Sequence, residues 1–224
     1  MRRLSVLAEW TSACNLRCNI CPITQPDMRP DGHMSLELWS RILNCCKREG
    51  HFVDWAHLFG EPLAWVHFFG GMKLWRESGL SKEGRISTNG HLLTDDRIEC
   101  ISETGVNCVR ICIDTLRPEV YKRLRGSSNH EALLLKVDRF LSRAANIKCQ
   151  IQFLRSQENI DEDPKDFFKR FSGHKNLSVF VSECLSIGGD HSLSTHTNPN
   201  PDPRQCVKVG YEHCVITHDG QIGL

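Results

Sequence analysis

The chain has 224 residues, 40% of them apolar, and a formal charge of +1 from 28 basic and 27 acidic side chains. That length buries one sizeable core but is short for two full domains. The near-neutral, evenly scattered charge argues against nucleic acid or a membrane surface as partner. No apolar run reaches the roughly 18 residues of a membrane span, and the basic start MRRLSVLA imitates a signal peptide only until Glu9 interrupts it. Most of the twelve cysteines sit inside strand-like or helix-like patterns. That usage points to a reduced, cytoplasmic protein and makes metal or redox chemistry the question to ask.

In chain order, apolar runs at residues 4–9, 53–59, 85–88, 109–114, 149–154 and 177–182 read as strands between amphipathic stretches. Residues 35–50 predict a helix capped by Ser35. Residues 94–105 predict another, beginning at Thr94 with two aspartates in its first turn and stopping at Gly105. Residues 129–146 and 163–173 predict two more, and no internal repeat interrupts the alternation. This rhythm predicts an α/β fold of parallel strands joined by helical crossovers.

Strand parity refines that reading. Val109, Ile111 and Ile113 share one face of their strand while Arg110, Cys112 and Asp114 share the other. Likewise Ile151 and Phe153 oppose Gln150 and Gln152, and Val179 and Val181 oppose Ser178 and Ser182. Parallel strands covered on both faces are normally apolar throughout, because an unpaired buried polar group costs about 1–3 kcal/mol. The polar face therefore predicts a wet or ligand-filled interior, as in a partial (β/α)6 TIM-like barrel with chemistry at the C-terminal ends of its strands. An antiparallel sheet with one solvated face would alternate in the same way, but the helical crossovers oppose it.

Beyond residue 183 the texture changes. Residues 184–205 are rich in Pro, Asn and Ser and read as a linker or long loop. The stretch CVITHDGQIGL reads as a short C-terminal hairpin turning at Asp219-Gly220, which on its own would be barely stable.

The stretch CNLRCNIC, residues 14–21, follows the first strand directly. A structural zinc site needs four closed ligands, and no fourth cysteine or histidine stands nearby at the usual spacing. Three thiolates suit an iron-sulfur cubane with one iron left open. Chance clustering and another metal are the competing readings of these residues alone.

Four stretches together resemble the radical S-adenosylmethionine (SAM) enzymes, over about residues 4–183. The CxxxCxxC spacing of Cys14, Cys18 and Cys21 is similar to that family's cluster loop. Gly60-Glu61-Pro62 resembles its GGEP stretch, with Phe59 replacing the first glycine. ISTNG, with Ser87, Thr88 and Asn89, resembles its ribose and carboxylate contact region; Asp114 and Arg155 match less sharply, as candidate catalytic residues at the ends of the fourth and fifth strands. The resemblance implies a [4Fe-4S] cluster on the three cysteines and SAM bound at the fourth iron. It also implies a contact between Glu61 and the methionine ammonium, and Ile20 packed on adenine. The chemistry implied is one-electron cleavage of SAM to a 5′-deoxyadenosyl radical that abstracts hydrogen from substrate, with a reductant such as flavodoxin or ferredoxin supplying the electron. Residues 206–224 resemble the opening of a SPASM or twitch extension, which would make Cys206 a ligand to an auxiliary iron-sulfur cluster and Cys214 a weaker one. Relatives of that kind oxidise amino-sugar or cyclitol alcohols or modify peptides. With the barrel starting almost at Met1, a small-molecule substrate is preferred over a peptide. Cys112, facing the interior, and His57, near the Gly-Glu-Pro loop, are further residues of interest.

Overall fold

The computed structural model describes residues 3–24, 30–183 and 213–223. Strands β1 (Ser5–Ala8), β2 (Phe52–Trp55), β3 (Arg85–Thr88), β4 (Cys108–Cys112), β5 (Lys148–Arg155) and β6 (Leu177–Glu183) lie parallel, in sequence order across the sheet. Helices α1 (Leu36–Glu49), α2 (Phe68–Ser78), α3 (Asp95–Thr104), α4 (Pro118–Arg125), α5 (His130–Arg143) and α6 (Asp166–Arg170) fill the crossovers. The sheet does not close, so the architecture is an open, partial β/α barrel. None of the described helices is long and apolar enough to cross a membrane.

The hairpin forms as predicted, with β7 (His213–Ile216) antiparallel to β8 (Ile222–Gly223), but it is not left alone. β7 pairs in parallel with β1 from Ser5↔His213 to Ala8↔Ile216, so the hairpin extends the main sheet and takes its stability from that edge. It also reaches the centre of the molecule. The fully buried Glu9 accepts from the backbone N–H of His218 at 3.2 Å through Oε2, and from Phe59 N–H at 3.3 Å through Oε1.

Ser35 caps α1 as expected, accepting from Leu38 N–H at 3.1 Å. Helix α2 escaped the pattern because Gly70 and Gly71 interrupt its sequence. Gly71 is there for space: a Cβ at that position would lie 1.9 Å from the Trp65 ring. Trp65, Trp39 and Trp75 pack around Trp10 with ring centroids 4.9, 5.4 and 5.5 Å away. This aromatic block anchors the chain as it leaves β1 and sets the root of the cysteine loop.

Inside the barrel, parity holds for most of the predicted face. Arg110 donates from Nε to Gln150 Oε1 at 2.8 Å, and its guanidinium lies 4.5 Å from the Trp55 ring centroid and 4.1 Å from that of Phe180. The cation is thereby sandwiched at the bottom of the interior.

Candidate active site

Three strand ends and one helix build the site. The chain leaves β1 through Thr11, Ser12 and Ala13 and enters the loop of Cys14, Cys18 and Cys21, which α4 holds from the side. Asn19 N–H donates to Leu124 O at 3.1 Å, and Asn19 Nδ2 to Arg123 O at 2.7 Å. Ile20 packs against Val120 and Leu124 of the same helix.

Gly60 fastens the loop after β2 to this cysteine loop. It has φ +72°, and a Cβ there would stand 2.3 Å from the carbonyl oxygen of Thr11. Glu61 N–H then donates to Ala13 O at 2.8 Å. A Gly60→Ala protein combines left-handed strain of about 1–2 kcal/mol with a backbone clash, and its SAM affinity is expected to fall at least about tenfold, measured by anaerobic calorimetry. Unchanged affinity would show that the close approach has no role in the site.

Glu61 is fully buried. Oε1 accepts from Thr88 Oγ1 at 2.6 Å and Leu63 N–H at 3.0 Å, and Oε2 accepts from Asn89 N–H at 2.7 Å. Burial pushes its carboxyl upward, and these three donors offset part of the effect. A carboxylate has about four acceptor positions, so Oε2 keeps one for an incoming ammonium.

Asn89 also donates from Nδ2 to Asn15 Oδ1 at 2.8 Å, tying β3 to the cysteine loop. Ser87 Oγ lies 3.6 Å from Cys112 Sγ, which lies 3.6 Å from Gln152 Oε1. Burial raises the Cys112 thiol, so it remains protonated at neutral pH.

All nine predicted cluster and SAM residues within the described chain border one cavity of about 270 Å3: Cys14, Cys18, Cys21, Ile20, Gly60, Glu61, Ser87, Thr88 and Asn89. Cys206 lies outside the described residues. The two predicted catalytic residues are not brought to the cavity. Asp114 has φ +69°, which breaks the strand alternation just beyond β4. Its buried carboxylate accepts from Leu154 N–H at 2.9 Å and from Arg125 Nε at 2.6 Å. Arg155 shares the parity of Phe153, lies over that ring at 5.4 Å and donates to Ile160 O at 3.3 Å. The pattern that sent Phe153 toward the helices sends Arg155 there too.

Arg125 stands in the cavity instead. Its side chain is 11% exposed, and Nη1 approaches Cys18 Sγ at 3.9 Å. Burial opposes its charge, but Asp114 and the neighbouring thiols more than offset this and hold it well above its ordinary range. The signal was present in the sequence: PEVYKRLRG has proline at the first helical position and glycine at the C-cap, the marks of a helix.

His57 also borders the cavity, and its buried Nδ1 has no hydrogen-bond partner among the described residues. Burial lowers it to about 4, and His91 is lowered to about 4 chiefly by burial and then by Lys136. Both rings are therefore neutral in the fold, whereas an unfolded histidine titrates near 6.5. The unfolded chain binds more protons between those values, so stability is full above about pH 6.5 and falls as pH drops toward 4. Melting temperatures of the cluster-free protein are expected to fall across that interval, and less steeply in His57→Gln. A flat profile there would contradict the buried neutral rings.

The donor set fits a cluster. The described cysteines are all unbridged, and no three His, Cys, Asp or Glu side chains among the described residues converge on a single metal ion. Cys14, Cys18 and Cys21 instead stand around a shared cavity, as thiolates on separate irons of a cubane require. Burial raises Cys14 to about 11 and also raises Cys21, so cluster assembly must displace thiol protons.

The fold and site thus define a β/α-barrel protein with a three-cysteine, carboxylate-lined cavity at the C-terminal edge of its parallel sheet. The Radical SAM superfamily model matches residues 9–162, and the chain belongs to that family. That family implies a [4Fe-4S] cluster and SAM, and the three cysteines and Glu61 around the cavity fit them. A tungsten-containing aldehyde ferredoxin oxidoreductase cofactor-modifying protein of Pyrococcus furiosus is 32% identical over 112 residues, 48% of this chain and 30% of that protein. A GTP 3′,8-cyclase of Limosilactobacillus fermentum is 28% identical over 185 residues, 80% of this chain and 53% of the cyclase. The chain thus spans about half or less of these relatives' length. Streptococcus suis SuiB, solved bound to SAM, shares the fold with a TM-score of 0.68 at 16% identity, over 99% of this chain and 60% of SuiB.

Proposed function

We propose that this enzyme takes hydrogen from a small hydroxylated or amino-sugar-like molecule and oxidises it. The observation that supports this substrate class is the cavity lining. Among the described residues, beyond the three loop cysteines, Glu61 and the Asp114-balanced Arg125, its hydrogen-bonding side chains are His57, Ser87, Thr88, Asn89, Gln152 and the protonated Cys112, all uncharged. Such a lining suits hydroxyls and amides better than phosphates or carboxylates.

In this reading Cys14, Cys18 and Cys21 hold the cluster, and Glu61 takes the ammonium of SAM on its remaining Oε2 position. Thr88 and the Asn89 backbone orient that carboxylate. Arg125 takes the SAM carboxylate, and Asp114 acts as its positioning residue. A cluster held by Cys14, Cys18 and Cys21 would supply the one-electron reduction that cleaves a carbon–sulfur bond of SAM bound by Glu61 and Arg125, and so the hydrogen-abstracting chemistry of this reading. A cytoplasmic flavodoxin or ferredoxin supplies that electron. Residues 206–224 begin a SPASM or twitch extension, and Cys206 ligates an auxiliary cluster able to accept the substrate's electron.

A peptide substrate is the second reading, favoured by the fold shared with SuiB, which is also solved bound to its precursor peptide SuiA. Anaerobic incubation with SAM, reductant and amino sugars or cyclitols deuterated at their carbinol carbons separates the two. Deuterium should enter 5′-deoxyadenosine. Transfer only from deuterated peptides would overturn the small-molecule assignment.

A further inference from the structure

Residues 15–17 have a second side. Cys14 and Cys18 border the catalytic cavity, while Asn15, Leu16 and Arg17 form the wall of a separate cleft of about 450 Å3. Among the described residues its ionisable lining is Arg17, Lys136 and His91, and His91 is neutral, so the cleft they form is cationic and none of these residues is a carboxylate. Lys122 adds a third charge. It stands one helical turn before Gly126, which lines the cleft and packs so tightly on the loop that a Cβ would meet Arg17 O at 2.7 Å.

These three cations differ from their neighbours. Arg123 is paired with Glu158 at 2.6 Å, Arg139 and Arg143 with Asp95 at 3.1 and 3.0 Å, and Arg117 with Asp161 and Glu162 at 2.8 and 2.9 Å. No carboxylate among the described residues forms an ion pair with Arg17, Lys122 or Lys136. The acidic residues nearest to Lys122 and Lys136 on those helices are Glu119 and Asp138; Asp138 pairs with Arg170 at 2.9 Å, and neither lines the cleft. In a chain of net charge +1, this concentration of unneutralised charge is local.

We propose that this cleft is the docking face for an acidic one-electron carrier protein, steered there by Arg17, Lys122 and Lys136. The inference rests on the reading of the chain as a SAM-cleaving enzyme. One electron leaves the carrier and enters the cluster, so the carrier is oxidised by one electron and the cluster reduced by one, with no bond or proton transferred. A carrier seated here reaches the cysteine loop from behind and leaves the catalytic cavity open to substrate. Opposed charges raise association rates by about 10- to 1000-fold at low salt, and the gain fades as salt rises.

The test uses the reconstituted full chain, SAM and flavodoxin hydroquinone as the acidic carrier, comparing wild type with Lys122→Glu/Lys136→Glu at low and high salt. The initial rate of 5′-deoxyadenosine formation at limiting flavodoxin is expected to fall at least about tenfold in the variant and to lose its salt dependence. Its dithionite-driven rate should match wild type. A flavodoxin-driven rate unchanged by the double reversal overturns the docking face, as does an equal loss with both reductants. Absence of dithionite-driven product in wild type overturns instead the underlying reading of the enzyme.

Discussion

Cys18→Ala protein reconstituted without oxygen is expected to hold about four fewer irons per chain than wild type and to form no 5′-deoxyadenosine from SAM and dithionite. Cys18 is buried at the centre of its loop, with Arg125 Nη1 3.9 Å from its sulfur and its carbonyl accepting from Cys21 N–H at 3.1 Å. Its removal leaves two thiolates where a site-differentiated cubane needs three. Because Gly60 and the Ala13 carbonyl hold this loop independently of the sulfur, the apoprotein should keep its fold. Far-ultraviolet circular dichroism matching wild type would separate loss of the cluster from loss of the protein. Wild-type iron content and normal turnover in the variant would remove Cys18 from the site.

Glu61→Gln should be almost as damaging, for a different reason. The present carboxylate receives three donors and offers a fourth acceptor position; a glutamine must turn its amide nitrogen toward one of those donors or toward the incoming ammonium. Charge-assisted hydrogen bonds contribute about 1.5–3 kcal/mol, so calorimetry should show SAM affinity weakened about 10- to 150-fold, with the iron content intact. Wild-type affinity would mean that the ammonium binds elsewhere.

Much of this site was legible before the structure. Cysteine spacing and three loops at successive strand ends converge on one cavity, because in parallel β/α architecture every strand's C-terminal end faces the same side. Strand parity also identified the inward faces of Arg110, Cys112, Gln150 and Gln152. It does not extend to Asp114, which lies beyond the end of β4 with a positive φ, and along β5 it turns Arg155 outward with Phe153. Arg125 was missed because α4 is a short helix beyond the regular crossover pattern, and nothing in a linear sequence says which of its three cations, Lys122, Arg123 or Arg125, meets a buried aspartate 11 residues upstream. The hairpin's anchorage was invisible for a related reason. Pairing of β7 with β1 joins residues more than 200 positions apart, and no local pattern encodes it.

Mössbauer spectroscopy of iron-57-reconstituted, oxygen-free protein, before and after addition of SAM, tests the central claim most directly. The account predicts a [4Fe-4S] signal in which one iron of four changes on binding SAM while the other three do not. Four irons all indifferent to SAM, or no cluster at all, would contradict it.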